Sequence, residues 1–110
     1  MSLTTKLQLK DGQGVAVLNP PPGFELDAPA GEDAVLLFLR SRDELERIGE
    51  PLFDAARADR LAWLAYPKAG QLGTDLSRDT LWELTKAHGI RPVRQVSIDD
   101  VWSALRFRPA

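Results

Sequence analysis

The stretch that decides the fold is Ala34-Val35-Leu36-Leu37-Phe38-Leu39, followed at once by Arg40-Ser41-Arg42-Asp43-Glu44. The first six residues carry no polar side chain, and a short apolar run of this kind is typical of a strand that is buried on both faces. Such a strand belongs in the middle of a sheet that is covered on both sides. We therefore predict a central strand over residues 34–39.

A helix is predicted directly after this strand. Residues 41–44 match a capping box, in which the Ser41 hydroxyl accepts a hydrogen bond from the Glu44 amide while the Glu44 carboxylate reaches back. The apolar stripe of the helix is formed by Leu45, Ile48, Leu52, Phe53 and Ala56. Pro51 lacks the amide that a helix interior needs, so we expect a kink or a break near Gly49.

Two further strands extend the sheet. Residues 61–66 form an apolar strand that ends at Pro67, and because it follows the helix closely we expect a right-handed crossover and parallel pairing with residues 34–39. Upstream, residues 14–18 form another apolar run that predicts the first strand. The segment from Gly23 to Asp33, rich in proline, glycine and acidic residues, is predicted to be a loop.

The last third of the chain predicts a helix and a hairpin. Ser77 can cap a helix that ends before Gly89, where a left-handed residue is needed. Two more strands are predicted, over residues 93–98 and 101–108, with only Asp99-Asp100 between them. A link of two residues predicts that these strands form an antiparallel hairpin. The predicted order is strand, strand, helix, strand, helix, strand, strand, which indicates an α/β sandwich.

Composition limits the class of protein. The 110 residues are 44% hydrophobic, with 14 Lys+Arg against 16 Asp+Glu and no cysteine. This size predicts a single domain spanning residues 1–110. Because the chain has no cysteine, disulfides and a thiolate metal site are excluded. A net charge of −2 argues against a nucleic-acid binder, which needs a basic excess. The longest apolar run is far shorter than the roughly 20 residues of a membrane span, and no signal peptide is visible, so we expect a cytoplasmic protein.

Three stretches of the chain resemble a family of small bacterial proteins of unknown function. They are residues 61–68, 74–79 and 91–109, which include Tyr66-Pro67-Lys68 and Trp102-Ser103-Ala104-Leu105-Arg106-Phe107. The resemblance covers most of the chain. It implies a bacterial protein and predicts no activity.

The order of elements also resembles a trimmed class I methyltransferase fold, which is a Rossmann-like three-layer sandwich. This resemblance implies a five-stranded, mostly parallel sheet in the order 1-2-3-5-4, with an antiparallel C-terminal hairpin. Methyltransferases carry a glycine-rich cofactor loop after the first strand, whereas Asn19-Pro20-Pro21-Pro22-Gly23 stands at that place here. We therefore predict no cofactor.

A ligand site is predicted at the carboxyl ends of the strands, where open parallel sheets bind their ligands. The candidate ligand-binding residues are Arg40, Tyr66, Lys68, Arg78, Asp99 and Trp102. Lys68 and Arg78 flank a helix start, and two cations beside a helix N-terminus can hold an anion. In the alternative interpretation Lys68 is solvated and Arg78 pairs with Asp75 or Asp79. Trp102 could form a pocket wall with Tyr66, or could pack against a helix.

Catalytic and metal chemistry find little support in the sequence. Four aspartates could in principle bind Mg²⁺. Aspartate is also favoured at helix starts and in turns, which accounts for its presence at these positions without a metal. The four are Asp75, Asp79, Asp99 and Asp100. The single histidine, His88, is expected at the opposite end of the sheet from the candidate loops, which argues against a general base. We predict no catalytic residue and no metal.

The sequence also predicts where two tryptophans and the arginines of the hairpin lie. Trp63 and Trp82 are expected in the core. The arginines of the hairpin, Arg91, Arg94, Arg106 and Arg108, create a local positive bias. Such arginines are ordinarily solvated and paired, but an acidic partner could use them.

Three classes of function follow from these observations. The first is a non-catalytic module that binds an anionic small molecule or a protein partner at the carboxyl ends of the strands. The second is a small enzyme, either a stripped methyltransferase-like protein or a metal-assisted hydrolase. The third is an assembly protein that pairs through the edge of the first strand. We favour a monomer over a homodimer, because residues 3–10 or residues 24–30 can fold over that edge.

Overall fold

The computed structural model describes residues 2–110, which form a mixed α/β fold around a five-stranded sheet. The strands are β1 (Val15–Leu18), β2 (Ala34–Phe38), β3 (Leu61–Pro67), β4 (Ile90–Ser97) and β5 (Trp102–Pro109). The helices are α1 (Leu3–Lys6), α2 (Arg42–Ile48), α3 (Glu50–Arg57) and α4 (Arg78–Lys86). The sheet order is β1-β2-β3-β5-β4, parallel from β1 to β3 and antiparallel elsewhere, which confirms the predicted order.

The central strand and the helix after it form as their residues predict. Every residue of β2 is buried, and the Ser41 hydroxyl accepts from the Glu44 amide at 3.2 Å. The Glu44 carboxylate reaches back past Ser41 and accepts from the amide of Arg40 at 2.6 Å. The predicted break at Gly49 is confirmed: it separates α2 from α3, and Pro51 lies in the first turn of α3, where a missing amide costs nothing.

Successive residues of β2 and β3 point to opposite faces of the sheet, so the core has two layers. On the helix side, Leu37 and Leu64 pack with residues of α2, α3 and α4. On the other face, here called the N-terminal side, Phe38 and Trp63 are covered by residues 3–9 and by the loop at 24–28. Leu7 is the buried centre of this cover, and its carbonyl accepts a hydrogen bond of 3.0 Å from the indole Nε1 of Trp63.

The outer edge of β1 is covered at its start. The amide of Val15 donates to the carbonyl of Pro29 at 2.9 Å, and the amide of Gly31 donates to the carbonyl of Val15 at 3.3 Å. Ala30 thereby forms a parallel bridge with Val15. The chain itself thus supplies a cover for this edge from the loop between β1 and β2.

The C-terminal hairpin is confirmed, but its link is longer than predicted. Residues 98–101 connect β4 to β5, and the Asp99 Oδ1 accepts from the amides of Val101 and Trp102, both at 2.8 Å. The carboxylate of Asp99 therefore closes a four-residue turn. The prediction of a two-residue link was wrong. The sequence pattern does not reveal that the Asp99 carboxylate binds the amides of Val101 and Trp102, so that residues 98–101 form a turn outside the strand pairing.

A second correction concerns Trp82. The prediction placed it in the core with Trp63, but 41% of Trp82 is exposed while Trp63 is 1% exposed. Helix α4 buries Leu81 and Thr85 against the sheet, which turns Trp82 toward solvent. No helix within residues 2–110 has the length and apolar character required to cross a membrane.

Candidate functional site

A cavity of about 350 Å³ opens where β3 ends and α4 begins. Three predicted site residues, Tyr66, Lys68 and Arg78, meet in its wall. Its other lining residues are Ala69, Ser77, Gln95 and Ser103. This is the carboxyl end of a parallel strand beside a helix N-terminus, the place that the fold rule predicts for a ligand. The lining contains two cations and no carboxylate.

Tyr66 and Ser103 form the inner wall of the cavity. They lie opposite each other in the β3–β5 register, and both are buried. The Tyr66 hydroxyl accepts from the side-chain amide of Gln95 at 3.2 Å. Burial raises the pKa of Tyr66, and the charge of Arg78 opposes this effect. Tyr66 therefore keeps its proton at neutral pH, and that proton is available to an acceptor in the cavity.

Ser103 is only 6% exposed and is one of two buried polar residues within residues 2–110. The other one, Thr85, donates to the carbonyl of Leu81 at 2.7 Å. The Ser103 hydroxyl makes no hydrogen bond to another group of the described chain and lines the cavity. Within residues 2–110 the one buried side-chain polar atom without a partner is Arg106 Nε, so the Ser103 hydroxyl is open to the cavity and can donate to a ligand there.

Lys68 and Arg78 supply the positive charge. The Lys68 ammonium donates to the Ser97 hydroxyl at 2.9 Å, which uses one of its three protons. No carboxylate of residues 2–110 lies within ion-pair distance of Arg78. The alternative in which Arg78 pairs with Asp75 or Asp79 is therefore wrong, and Asp75 accepts from the amide of Arg42 at 3.0 Å.

Arg78 also begins helix α4. The Ser77 hydroxyl caps this helix by accepting from the Thr80 amide at 3.1 Å. Amides in a first helical turn have no acceptor within the helix, so those of residues 78 and 79 are available to a ligand. The partial positive charge of the helix end adds to that of the two side chains.

The other three predicted site residues lie elsewhere. The Arg40 guanidinium lies over the indole of Trp102, 5.6 Å from the ring centroid, and Trp102 packs edge-on against Phe38 on the N-terminal side. Trp102 and Tyr66 therefore face opposite sides of the sheet and form no common wall. Asp99 is engaged in the hairpin turn.

Sequence reasoning missed Ser77, Gln95 and Ser103 as lining residues. Ser77 was assigned only its capping role. Gln95 and Ser103 reach the cavity because of the hairpin register, in which Ser103 pairs with Tyr66 and Gln95 pairs with Leu105. The sequence did carry one signal: Ser103 lies on the same predicted strand face as Leu105 and Phe107, so it is the polar exception on a buried face.

The titratable groups form no further chemical centre in the described part of the chain. Within residues 2–110 no group of three or more histidine and acidic side chains is placed to hold a metal ion. The imidazole of His88 stacks on the ring of Phe53, with centroids 3.8 Å apart. That position is at the far end of helix α4 from the cavity.

No family model matches this chain, and no significant match to a curated protein or to a solved structure is found. A fold alone does not determine activity, so the function of this chain depends on the residues of the site and their geometry.

Proposed function

We propose that this protein is a non-catalytic module that binds an anionic small molecule in the cavity between β3 and α4. The observation that carries the proposal is the meeting of Lys68 and Arg78 with the Ser103 hydroxyl in one cavity whose lining holds no carboxylate. A phosphate or carboxylate group would accept hydrogen bonds from all three of these side chains.

The remaining cavity groups suit the same ligand. The Tyr66 hydroxyl offers a proton, and the amides of residues 78 and 79 have no acceptor within α4, as in many phosphate sites. The volume of about 350 Å³ lies within the usual range for small-molecule pockets. Each of these groups acts as a hydrogen-bond donor at neutral pH, which favours holding an anion over removing a proton from a substrate.

The proposal extends to the setting of the protein. The sheet order and its two covered faces support a trimmed Rossmann-like sandwich, in which a ligand at the carboxyl ends of the strands is expected. Together with the resemblance to small bacterial proteins, this leads us to propose a cytoplasmic bacterial module that works as a monomer.

The test is a thermal-shift and calorimetric titration with inorganic phosphate, pyrophosphate and citrate. A ligand that binds only the folded chain raises Tm. We expect pyrophosphate to raise the Tm of the wild-type protein, and we expect Lys68→Ala and Arg78→Ala each to reduce its affinity about tenfold or more. Neither substitution should change the free energy of unfolding by more than about 1 kcal/mol.

Lys86→Ala is the matched control, because Lys86 is an exposed cation on the same helix and pairs with Glu83 at 3.1 Å, away from the cavity. It should leave the response to pyrophosphate unchanged. The proposal fails if none of the three anions raises Tm, or if the cavity variants bind pyrophosphate as tightly as Lys86→Ala does.

A further inference from the structure

The C-terminal hairpin places like charges directly opposite each other. Arg91 of β4 pairs with Arg108 of β5, and Arg94 pairs with Arg106. Like charges at facing positions of an antiparallel pair destabilise the sheet. Two such pairs follow each other along this hairpin, and local rules are most often broken where function needs it.

Only one of the four arginines is neutralised within the described chain. Arg108 makes two hydrogen bonds to the carboxylate of Asp59, of 2.9 and 3.0 Å. Arg106 donates to the side-chain oxygen of Gln8 at 2.6 Å, and its Nε is buried without an acceptor. Burial, together with the positive charges of Arg108 and Arg94, lowers the pKa of Arg106. Arg91 and Arg94 are exposed and form no ion pair within residues 2–110.

This concentration of positive charge contrasts with the rest of the chain. The hairpin carries four arginines, and its two aspartates lie at the turn, away from the paired arginines. The remaining residues include ten basic and fourteen acidic ones. The positive surface is therefore local, and it selects a partner with a local negative charge rather than a long polyanion, which the acidic remainder would repel.

Apolar side chains are exposed beside these arginines. Trp82 is 41% exposed and Val93 is 39% exposed, and they are two of the three large hydrophobic residues exposed within residues 2–110. Both line a cleft of about 420 Å³ between α4 and β4, to which Arg91 and Arg94 also contribute. Exposed tryptophan with arginine is the composition that dominates binding energy at protein interfaces.

We propose that the cleft along β4 is a docking surface for an acidic peptide segment of a partner protein. Carboxylates of the segment pair with Arg91 and Arg94, and one apolar side chain packs between Trp82 and Val93. The cleft adjoins the proposed anion site, since Arg78 and Gln95 line both, but the residues that define the docking surface line the cleft alone. They are Trp82, Arg91, Val93 and Arg94.

The segment docks through its side chains rather than as an added strand. Pro92 has no amide to offer, and the ladder is irregular between Pro92 and Arg94, so the outer edge of β4 is interrupted where an added strand would need to pair. Further along, the carbonyl of Ser97 already accepts from the Lys6 ammonium at 3.1 Å.

The test uses fluorescence anisotropy with a labelled peptide of glutamates and aspartates around one phenylalanine. Two control peptides replace the acidic residues by their amides, or the phenylalanine by alanine. We expect the acidic peptide to bind the wild-type chain, and we expect Arg94→Glu and Trp82→Ala each to weaken binding about tenfold. Arg47→Glu makes the same change of charge on α2, where Arg47 pairs with Asp43, and should leave binding unchanged.

Arg94→Glu has a second expected effect that separates lost binding from damage to the fold. Glutamate opposite Arg106 replaces a repulsive pair by an attractive one, so Tm should rise by a few degrees while peptide binding is lost. Lys68→Ala should keep the peptide affinity, because Lys68 lines only the anion cavity. The inference is overturned if the amide peptide binds equally well, if Arg47→Glu weakens binding as much as Arg94→Glu does, or if Lys68→Ala abolishes peptide binding.

Discussion

The backbones of Gly14 and Gly31 touch across the start of β1. A Cβ atom added to Gly14 would lie 2.6 Å from the Cα of Gly31, and one added to Gly31 would lie 2.7 Å from the Cα of Gly14. This approach brings residues 29–31 into hydrogen-bonding distance of Val15. The two glycines therefore allow the loop to cover the edge of a strand whose side chains are apolar on both faces.

The first prediction concerns this contact. Gly14→Ala should lower the free energy of unfolding by about 2 kcal/mol, because the added methyl overlaps backbone that cannot move without breaking the pairing with Val15. The freed edge should also make sedimentation depend on concentration. Gly23→Ala is the control: Gly23 has φ +81° with open space around it, so only the backbone strain of about 1 kcal/mol is expected. A Gly14→Ala protein as stable as wild type would contradict the packing described.

The sheet could be predicted from sequence because its signals are local. The apolar run of β2, the Ser41 cap and Pro51 each determine structure within a few residues of themselves. The cover of the N-terminal side could not be predicted in this way. Leu7 lies beneath Trp63, 56 positions away in sequence. No local sequence pattern around either residue predicts that the two are in contact.

The second prediction tests the correction made for Trp82. Trp82→Ala should change the free energy of unfolding by less than about 1 kcal/mol, since the side chain lies on the outer face of α4. Trp63→Ala should cost about 3–5 kcal/mol, because it empties the centre of the N-terminal side and leaves the Leu7 carbonyl without its donor. Urea denaturation of both variants measures the difference. Equal losses would show that Trp82 is a core residue.

Three of the seven residues that line the candidate site could be predicted, for a clear reason. The rule that ligands bind beyond the carboxyl ends of strands correctly brings Tyr66, Lys68 and Arg78 to one cavity. The same rule does not predict which face of the sheet a side chain lies on. The Arg40 side chain lies on the N-terminal side, over the indole of Trp102. Ser103 depends on the exact pairing of β5 with β3, which the sequence does not determine.

The third prediction concerns Tyr66, the only tyrosine of the chain, whose ionisation can be followed by tyrosinate absorbance. Burial should hold the pKa of Tyr66 in the native protein above the ordinary value of 10.0, to which it returns in urea. Arg78→Ala should raise the native pKa further, because it removes the charge that favours the tyrosinate. A native midpoint at or below the one in urea would contradict the burial of Tyr66.

The same shift sets a dependence of stability on pH. The folded chain holds the Tyr66 proton more tightly than the unfolded chain does, so this contribution to stability is complete below pH 10 and is lost as pH rises through the native pKa. Tyr66→Phe should therefore show a smaller loss of stability above pH 10 than the wild-type protein. Denaturant midpoints at pH 9 and above would measure it.

The last prediction separates the two serines of the anion cavity. Ser103→Ala removes a hydroxyl that opens to the cavity and makes no hydrogen bond within the described chain, so the free energy of unfolding should change by less than about 1 kcal/mol. The affinity for pyrophosphate should nevertheless fall, because the ligand loses a donor. Ser77→Ala, in contrast, should lower the free energy of unfolding by about 1 kcal/mol, because the Ser77 hydroxyl caps α4 by accepting from the Thr80 amide. If the Ser103 hydroxyl served the fold, Ser103→Ala would lower the free energy of unfolding by as much as Ser77→Ala does, and it would leave pyrophosphate binding intact. A binding role for Ser103 requires a loss of affinity without a loss of stability.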